Sequence, residues 1–211
     1  MRRRDAEVRQ GQPERFMLRL VRDERESWNQ RYKQGSHPSL QPDPFLIKAY
    51  GEFVEPLFSF PGKALDVAGG VGRHAIWLAE RDWNVTLMDV SETGLEAARK
   101  NAETKPVRDI EFQVRDLKKS PPEPDSYDLV LVFFYLEREL FPALQSALRP
   151  GGMLIYKTYT VEQCKFAAGP THPMHLLKPN ELLHAFAQLR VLHYRETVRE
   201  RGVAEFAGVK I

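Results

Sequence analysis

From Lys63 onward, short apolar runs alternate with stretches in which apolar residues recur every three or four positions. Ala64 to Val67 and Val85 to Met88 read as buried strands. The unbroken run Leu129 to Phe134 reads as a central strand covered on both faces. Ile110, Phe112 and Val114 alternate with Glu111 and Gln113, the period of two that a strand shows. Met153 to Tyr156, Val191 to Tyr194 and Phe206 to Ile211 supply three more strands. The segments between have helical spacing. Arg73 to Glu80 gathers Ala75, Leu78 and Ala79 on one side, and Ser91 caps a helix whose stripe is Leu95, Ala98 and Ala102. A further helix is expected to run to Leu148 and stop at Pro150-Gly151-Gly152, and another to begin at Pro179.

Strands alternating with helices across short turns predict an α/β, doubly wound, mostly parallel sheet with helices on both faces. Ligands of such sheets lie beyond the carboxyl ends of the strands. Upstream, Phe45 to Phe58 has the spacing of an amphipathic helix, ended by Pro61-Gly62 and preceded by an extended loop at Pro38, Pro42 and Pro44. Residues 1–27 read as a charged tail or helix. Residues 28–211 read as one domain, with a cap segment over 28–62 and a core over 63–211.

Composition narrows the class. The chain has 211 residues, 42% apolar and 28% charged, enough for one well-buried domain. Thirty-one basic against 29 acidic residues leave a net charge of +2, which gives no bulk electrostatic reason to bind nucleic acid or an anionic membrane. No apolar run approaches the length of a membrane span, and no apolar region follows the basic start. The lone Cys164 makes no internal disulfide, so a reducing compartment, the cytoplasm, is expected.

The most informative stretch is Leu65-Asp66-Val67-Ala68-Gly69-Gly70-Val71-Gly72-Arg73-His74, a glycine turn between a strand and a helix. Glycines let backbone approach a ligand, and the helix start offers free amides. Read from Gly70, the turn also matches the dinucleotide fingerprint, so an NAD(P)-dependent oxidoreductase using Gly70, Gly72 and Asp89 is one reading. Asp66 speaks against it, because a carboxylate there repels a pyrophosphate but welcomes an ammonium or hydroxyl. Asp89 ends the second strand at the spacing of a ribose-binding acid, and Asp116 follows the third, where it suits an adenine amino group. Each acid has a plain structural alternative: Asp66 and Asp89 as helix caps, Asp116 as an ordinary strand end.

Leu65 to Gly72, Asp89 and Asp116 resemble the cofactor elements of class I S-adenosylmethionine-dependent methyltransferases, with Ala68 in place of the usual first glycine. Trp28-Asn29-Gln30-Arg31-Tyr32, Pro44-Phe45-Leu46, Arg73-His74-Ala75 and Leu177 to Leu183 are similar to the small bacterial tellurite-resistance-type methyltransferases. The resemblance implies a Rossmann-like seven-stranded sheet whose last strand is antiparallel, and an amino-terminal segment covering the cofactor. It implies that Ala68, Gly70 and Gly72 line the methionine and ribose, that Arg73 reaches the methionine carboxylate, and that Asp66 and the Phe133 carbonyl serve its ammonium. Val90, Asp116 and the Leu117 amide would bracket the adenine.

The acceptor side is less legible. Tyr135 has a polar handle at a strand's carboxyl end, His172 is a candidate base in the loop after the fifth strand, and Arg138 is a candidate anion holder. Trp28 and Tyr32 read equally as a lid or as core anchors. Cys164, His172 and His175 are too few and too loosely spaced for zinc, so no metal is expected. The expected activity is methyl transfer from S-adenosyl-L-methionine to a small-molecule acceptor: a thiol, a metalloid oxyanion or another small nucleophile. A non-catalytic module that only binds the nucleoside is the alternative outside enzymes.

Overall fold

A computed structural model describes residues 24–35, 39–107 and 110–211, so the tail expected over 1–27 lies outside it up to residue 23. Seven strands form one sheet: β1 Lys63–Val67, β2 Asn84–Asp89, β3 Glu111–Val114, β4 Tyr127–Phe133, β5 Leu148–Tyr159, β6 Leu189–Val198 and β7 Gly202–Lys210. Their order is β3-β2-β1-β4-β5-β7-β6. The first five are parallel, and β7 runs antiparallel to both β5 and β6. The strand order reverses beside β1, so the carboxyl ends of β1 and β4 flank the crevice where such sheets take ligands.

Alternation along the strands builds the two cores. Leu129, Leu131 and Phe133 of β4 face one helical layer with Leu87 and Trp83, while Val130 and Val132 face the other with Leu65, Tyr156 and Phe206. Among the described residues, six helices cover the sheet: α1 over 24–33, α2 from Pro44 to Leu57, α3 Arg73–Ala79, α4 Glu92–Glu103, α5 Phe141–Ala147 and α6 Glu181–Ala185. Ser91 caps α4 as its sequence predicts, accepting a hydrogen bond from the Gly94 N–H at 3.0 Å.

Helix α2 begins at an Asp43 cap, whose side chain accepts from Phe45 N–H at 2.8 Å, with Pro44 in the first turn. Its middle, Tyr50–Val54, widens to a π-turn in which Glu55 N–H bonds to the Tyr50 carbonyl five residues back. The next residue, Pro56, has no N–H to give, and the widened turn meets it there.

Two expected boundaries differ. The helix α5 ends at Ala147, and Leu148 already pairs with Tyr127 in the sheet. Pro150 drives the residue before it out of helical angles, and Pro150-Gly151-Gly152 therefore lies within β5, beside an irregularity in the pairing between Tyr127 and Leu129. Likewise α6 starts at Glu181, not Pro179, because Asn180 adopts a left-handed cap with φ 59°.

Candidate cofactor and acceptor site

The turn after β1 is bent by three left-handed residues, Ala68 (φ 53°), Gly70 (φ 54°) and Gly72 (φ 82°). Ala68 thus takes the backbone angle at which the resemblance has a glycine. Gly70 is required twice over: for its angle, and because a Cβ there would lie 2.3 Å from the Tyr32 hydroxyl. The Gly69 N–H bonds to the Met88 carbonyl at 3.3 Å, tying the turn to β2.

Two buried carboxylates hold this turn. Asp66 Oδ2 accepts from Ala75 N–H in the first turn of α3 at 3.1 Å, so the capping role is real. Its other oxygen, Oδ1, is buried without a hydrogen-bond partner among the described residues. Burial pushes the Asp66 carboxyl up to about 7, against the opposing pull of Arg73 and the Ala75 N–H, with Asp89 adding to the rise. Asp89 accepts from Ser91 N–H at 2.8 Å and from Gly70 N–H at 2.9 Å. Burial raises its carboxyl too, opposed by these amides. A carboxylate oxygen has two lone-pair directions, so both acids retain acceptor capacity toward the crevice.

Asp116 behaves differently. It is about one-fifth exposed, accepts from Lys118 N–H at 3.2 Å and lies 3.2 Å from Lys119 Nζ. The adjoining Leu117 side chain is buried in the second core. Val90 is half-buried and follows Asp89 directly. Phe133 is buried, its ring 4.3 Å from that of His74.

Helix α1 closes the turn from outside. The Tyr32 ring lies over both Gly70 and Gly94, and Trp28 stacks on it at 5.8 Å. Burial raises the Tyr32 phenol above its usual range, with Asp89 and Asp66 adding to the effect. Asn29 Oδ1 accepts from Ser91 Oγ at 2.5 Å and Thr93 N–H at 3.2 Å, Arg25 pairs with Glu92, and Lys118 bridges Glu24 and Glu137. The sequence leaves Trp28 and Tyr32 open between lid and anchor; the structure seats Tyr32 against the glycine turn, with Trp28 stacked on it.

The three acceptor-side candidates are held in different ways. Tyr135 is half-buried and stands in the field of Glu24, Glu137, Asp116 and Asp89, which, after burial, raise its phenol. Arg138 is engaged elsewhere: its guanidinium forks onto Glu181 at 2.6 and 3.0 Å and also donates to the Met174 and Leu176 carbonyls, so it fastens α6 and the preceding loop rather than presenting a free cation. His172 is exposed and its Nδ1 accepts from Met174 N–H at 3.3 Å, capping a short 3₁₀ turn.

A buried charge group went unnoticed in the sequence. Lys157 of β5 lies 2.9 Å from Asp43 and 3.1 Å from Glu205, and Asp43 N–H donates to His74 Nε2 at 3.3 Å. Burial, then Arg73 and Lys157, hold the His74 pKa well below its usual value, which fits a neutral acceptor nitrogen. Asp43-Pro44 was a readable helix start; a lysine interrupting the apolar run of β5 was the other signal.

Comparison with known proteins follows the same outline. Residues 64–152 match the family model described as a methyltransferase domain. The tRNA 5-carboxymethoxyuridine methyltransferase of Escherichia coli is 36% identical over 106 residues, covering 46% of this chain and 40% of that protein. The ubiquinone biosynthesis O-methyltransferase of Idiomarina loihiensis is 29% identical over 144 residues, 59% of each. The chain thus spans about two-fifths of the length of the first of these relatives. Among solved structures, TehB from Haemophilus influenzae superposes with a TM-score of 0.67 at 17% identity, over 86% of this chain and 66% of that one. Magnesium protoporphyrin IX methyltransferase from Synechocystis, solved with bound S-adenosylhomocysteine, gives 0.66 at 16% identity, over 90% and 99%. Residues 64–152 are thus similar to a methyltransferase domain, and the sheet as a whole has the fold of these solved structures.

Proposed function

We propose that the protein transfers a methyl group from S-adenosyl-L-methionine to a small-molecule acceptor. The observation that carries this reading is the glycine turn held between two buried acids, one of which keeps an unpartnered oxygen, Asp66 Oδ1. A buried acceptor without a donor costs about 1–3 kcal/mol, which a ligand ammonium or a bridging water would recover. In this reading Asp66, the backbone of Ala68, Gly70 and Gly72, and Arg73 hold the methionine end. Asp89 takes the ribose hydroxyls, and Val90, Asp116 and Leu117 border the adenine, with the Phe133 carbonyl near the ammonium.

Bound S-adenosylmethionine supplies a methyl carbon activated by a sulfonium leaving group. What remains for the chain is alignment and exclusion of water, worth on the order of 7–11 kcal/mol when geometry is good. Tyr32 and Trp28 serve the second task by covering the turn, with residues 28–62 as the cap and 63–211 as the core. Tyr135 contacts the acceptor in this reading.

The E. coli relative is named for a tRNA substrate and the Idiomarina relative for ubiquinone biosynthesis. The small-molecule reading for this chain rests on its near-neutral charge of +2. No helix among the described residues is long and apolar enough to cross a membrane, and the single, exposed Cys164 fits work in the reducing cytoplasm.

Calorimetry with S-adenosylhomocysteine and, separately, NADH tests the cofactor. Binding of the homocysteine nucleoside alone is expected, and Asp89→Ala weakens it about ten-fold or more. Binding of NADH alone would overturn the assignment.

A further inference from the structure

Just beyond β4, Phe134 stands in a left-handed conformation with φ 58°, which a Cβ-bearing residue adopts at a cost. Its N–H donates to the Lys157 carbonyl at 2.7 Å, and its half-buried ring lies 5.0 Å from that of Tyr159. Three cations from separate parts of the chain gather on this ring. The Arg73 guanidinium, from the first residue of α3, is 5.8 Å from its centroid. Lys157 Nζ is at 5.9 Å, and the Arg201 guanidinium, from the turn joining β6 and β7, is at 6.0 Å.

The three are not equivalent. Lys157 is enclosed by Asp43 and Glu205, so its charge is already answered within the fold. Among the described residues, neither Arg73 nor Arg201 has a carboxylate within ion-pair distance or makes a side-chain hydrogen bond. Arg73 follows the glycine turn directly, so this aromatic-and-arginine patch adjoins the proposed methyl donor. Arg73 acts on the buried Asp66 carboxyl, which leaves Arg201 as the cation of the three with no acid partner among the described residues.

We propose that Arg201 is the anion-binding residue of the acceptor site, with Arg73 left to the methionine end of the cofactor, and that the acceptor is a flat molecule bearing a carboxylate, laid against Phe134. This rests on the methyltransferase reading above and adds the substrate class to it. Guanidinium forks match carboxylate geometry, and the ring supplies the apolar platform for the rest of the molecule. Arg201 is the residue that separates this role from cofactor binding, because it lies on the β6–β7 turn and not on the glycine turn.

The full chain is saturated with S-adenosylhomocysteine and titrated with benzoate, with its neutral isostere benzamide, with phenyl phosphate and with a short single-stranded RNA, each followed by calorimetry. Benzoate is expected to bind and benzamide not. Arg201→Gln is expected to weaken benzoate about ten-fold or more while leaving S-adenosylhomocysteine affinity unchanged. Intact nucleoside binding with benzoate no better than benzamide overturns the carboxylate assignment alone, as does benzoate affinity that survives Arg201→Gln. Preference for phenyl phosphate or the RNA overturns it in favour of a phosphate-bearing acceptor. Failure of S-adenosylhomocysteine to bind at all defeats the methyltransferase reading itself.

Discussion

Ala68 holds a backbone angle that suits glycine, at a cost of about 1–2 kcal/mol for a residue with a Cβ. Replacing it by glycine is expected to stabilise the protein by about 1 kcal/mol, net of the added freedom of the unfolded chain. Urea denaturation checks this, and an unchanged or lowered midpoint would count against strain at that position. Asp66 makes a second prediction, in pH. Its carboxyl sits at about 7 in the folded protein against 3.8 ordinarily, so between these values the folded state binds the extra proton. Its contribution to stability is therefore full below about pH 4, falls as pH rises through about 7, and is level above that. Asp66→Asn should flatten that slope in a series of thermal melts; an unaltered slope would assign it to other groups.

At the scale of elements, α1 depends on a few polar contacts for its seat over the glycine turn. Asn29 accepts from both Ser91 Oγ and Thr93 N–H at the start of α4. Asn29→Ala is expected to speed amide hydrogen exchange across 24–33 while leaving the protection of β1 and β4 unchanged, since local opening need not involve the sheet. Equal acceleration in the central strands would mean that α1 is part of the global core. The same contrast explains what the sequence could reveal. Helix α4 was legible because its cap, Ser91, and its stripe, Leu95 and Ala98, are local signals. The end of α5 was not, because Pro150 acts on its predecessor and the sheet claims Leu148 through a partner, Tyr127, far back in the chain. Helix α1 was hidden by charge: what it packs against is one tyrosine-sized slot between Gly70 and Gly94, and no periodicity reports that.

Across the whole molecule, Lys157 joins α2 to the sheet by lying between Asp43 and Glu205, with all three side chains less than one-seventh exposed. Lys157→Met leaves two buried carboxylates facing each other and is expected to cost about 3–5 kcal/mol, read as a lowered melting temperature. Double replacement, Lys157→Met with Asp43→Asn, should recover part of it, and a loss below about 1 kcal/mol in the single variant would show the pair to be solvated. The site divides along the same line as the fold. The residues proposed for its cofactor half, Asp66, Gly70, Gly72 and Asp89, could be named from the sequence because they are contiguous with strand ends. The grouping proposed for the acceptor could not, because Arg201 reaches Phe134 only after β7 has been placed between β5 and β6. The ion pair of Arg138 was hidden as well, because its carboxylate partner, Glu181, lies on a helix forty-odd positions away.

The placement of β7 also has a consequence for synthesis. A growing chain emerges with β5 as the outer rim of a parallel sheet, and that rim stays bare until the strand made after β6 arrives to line it. Through that interval the apolar stretch Met153 to Tyr156 is open to the wrong neighbour. Ribosome-stalled fragments ending before Gly202 are the species in which a chaperone's grip on this protein would be strongest.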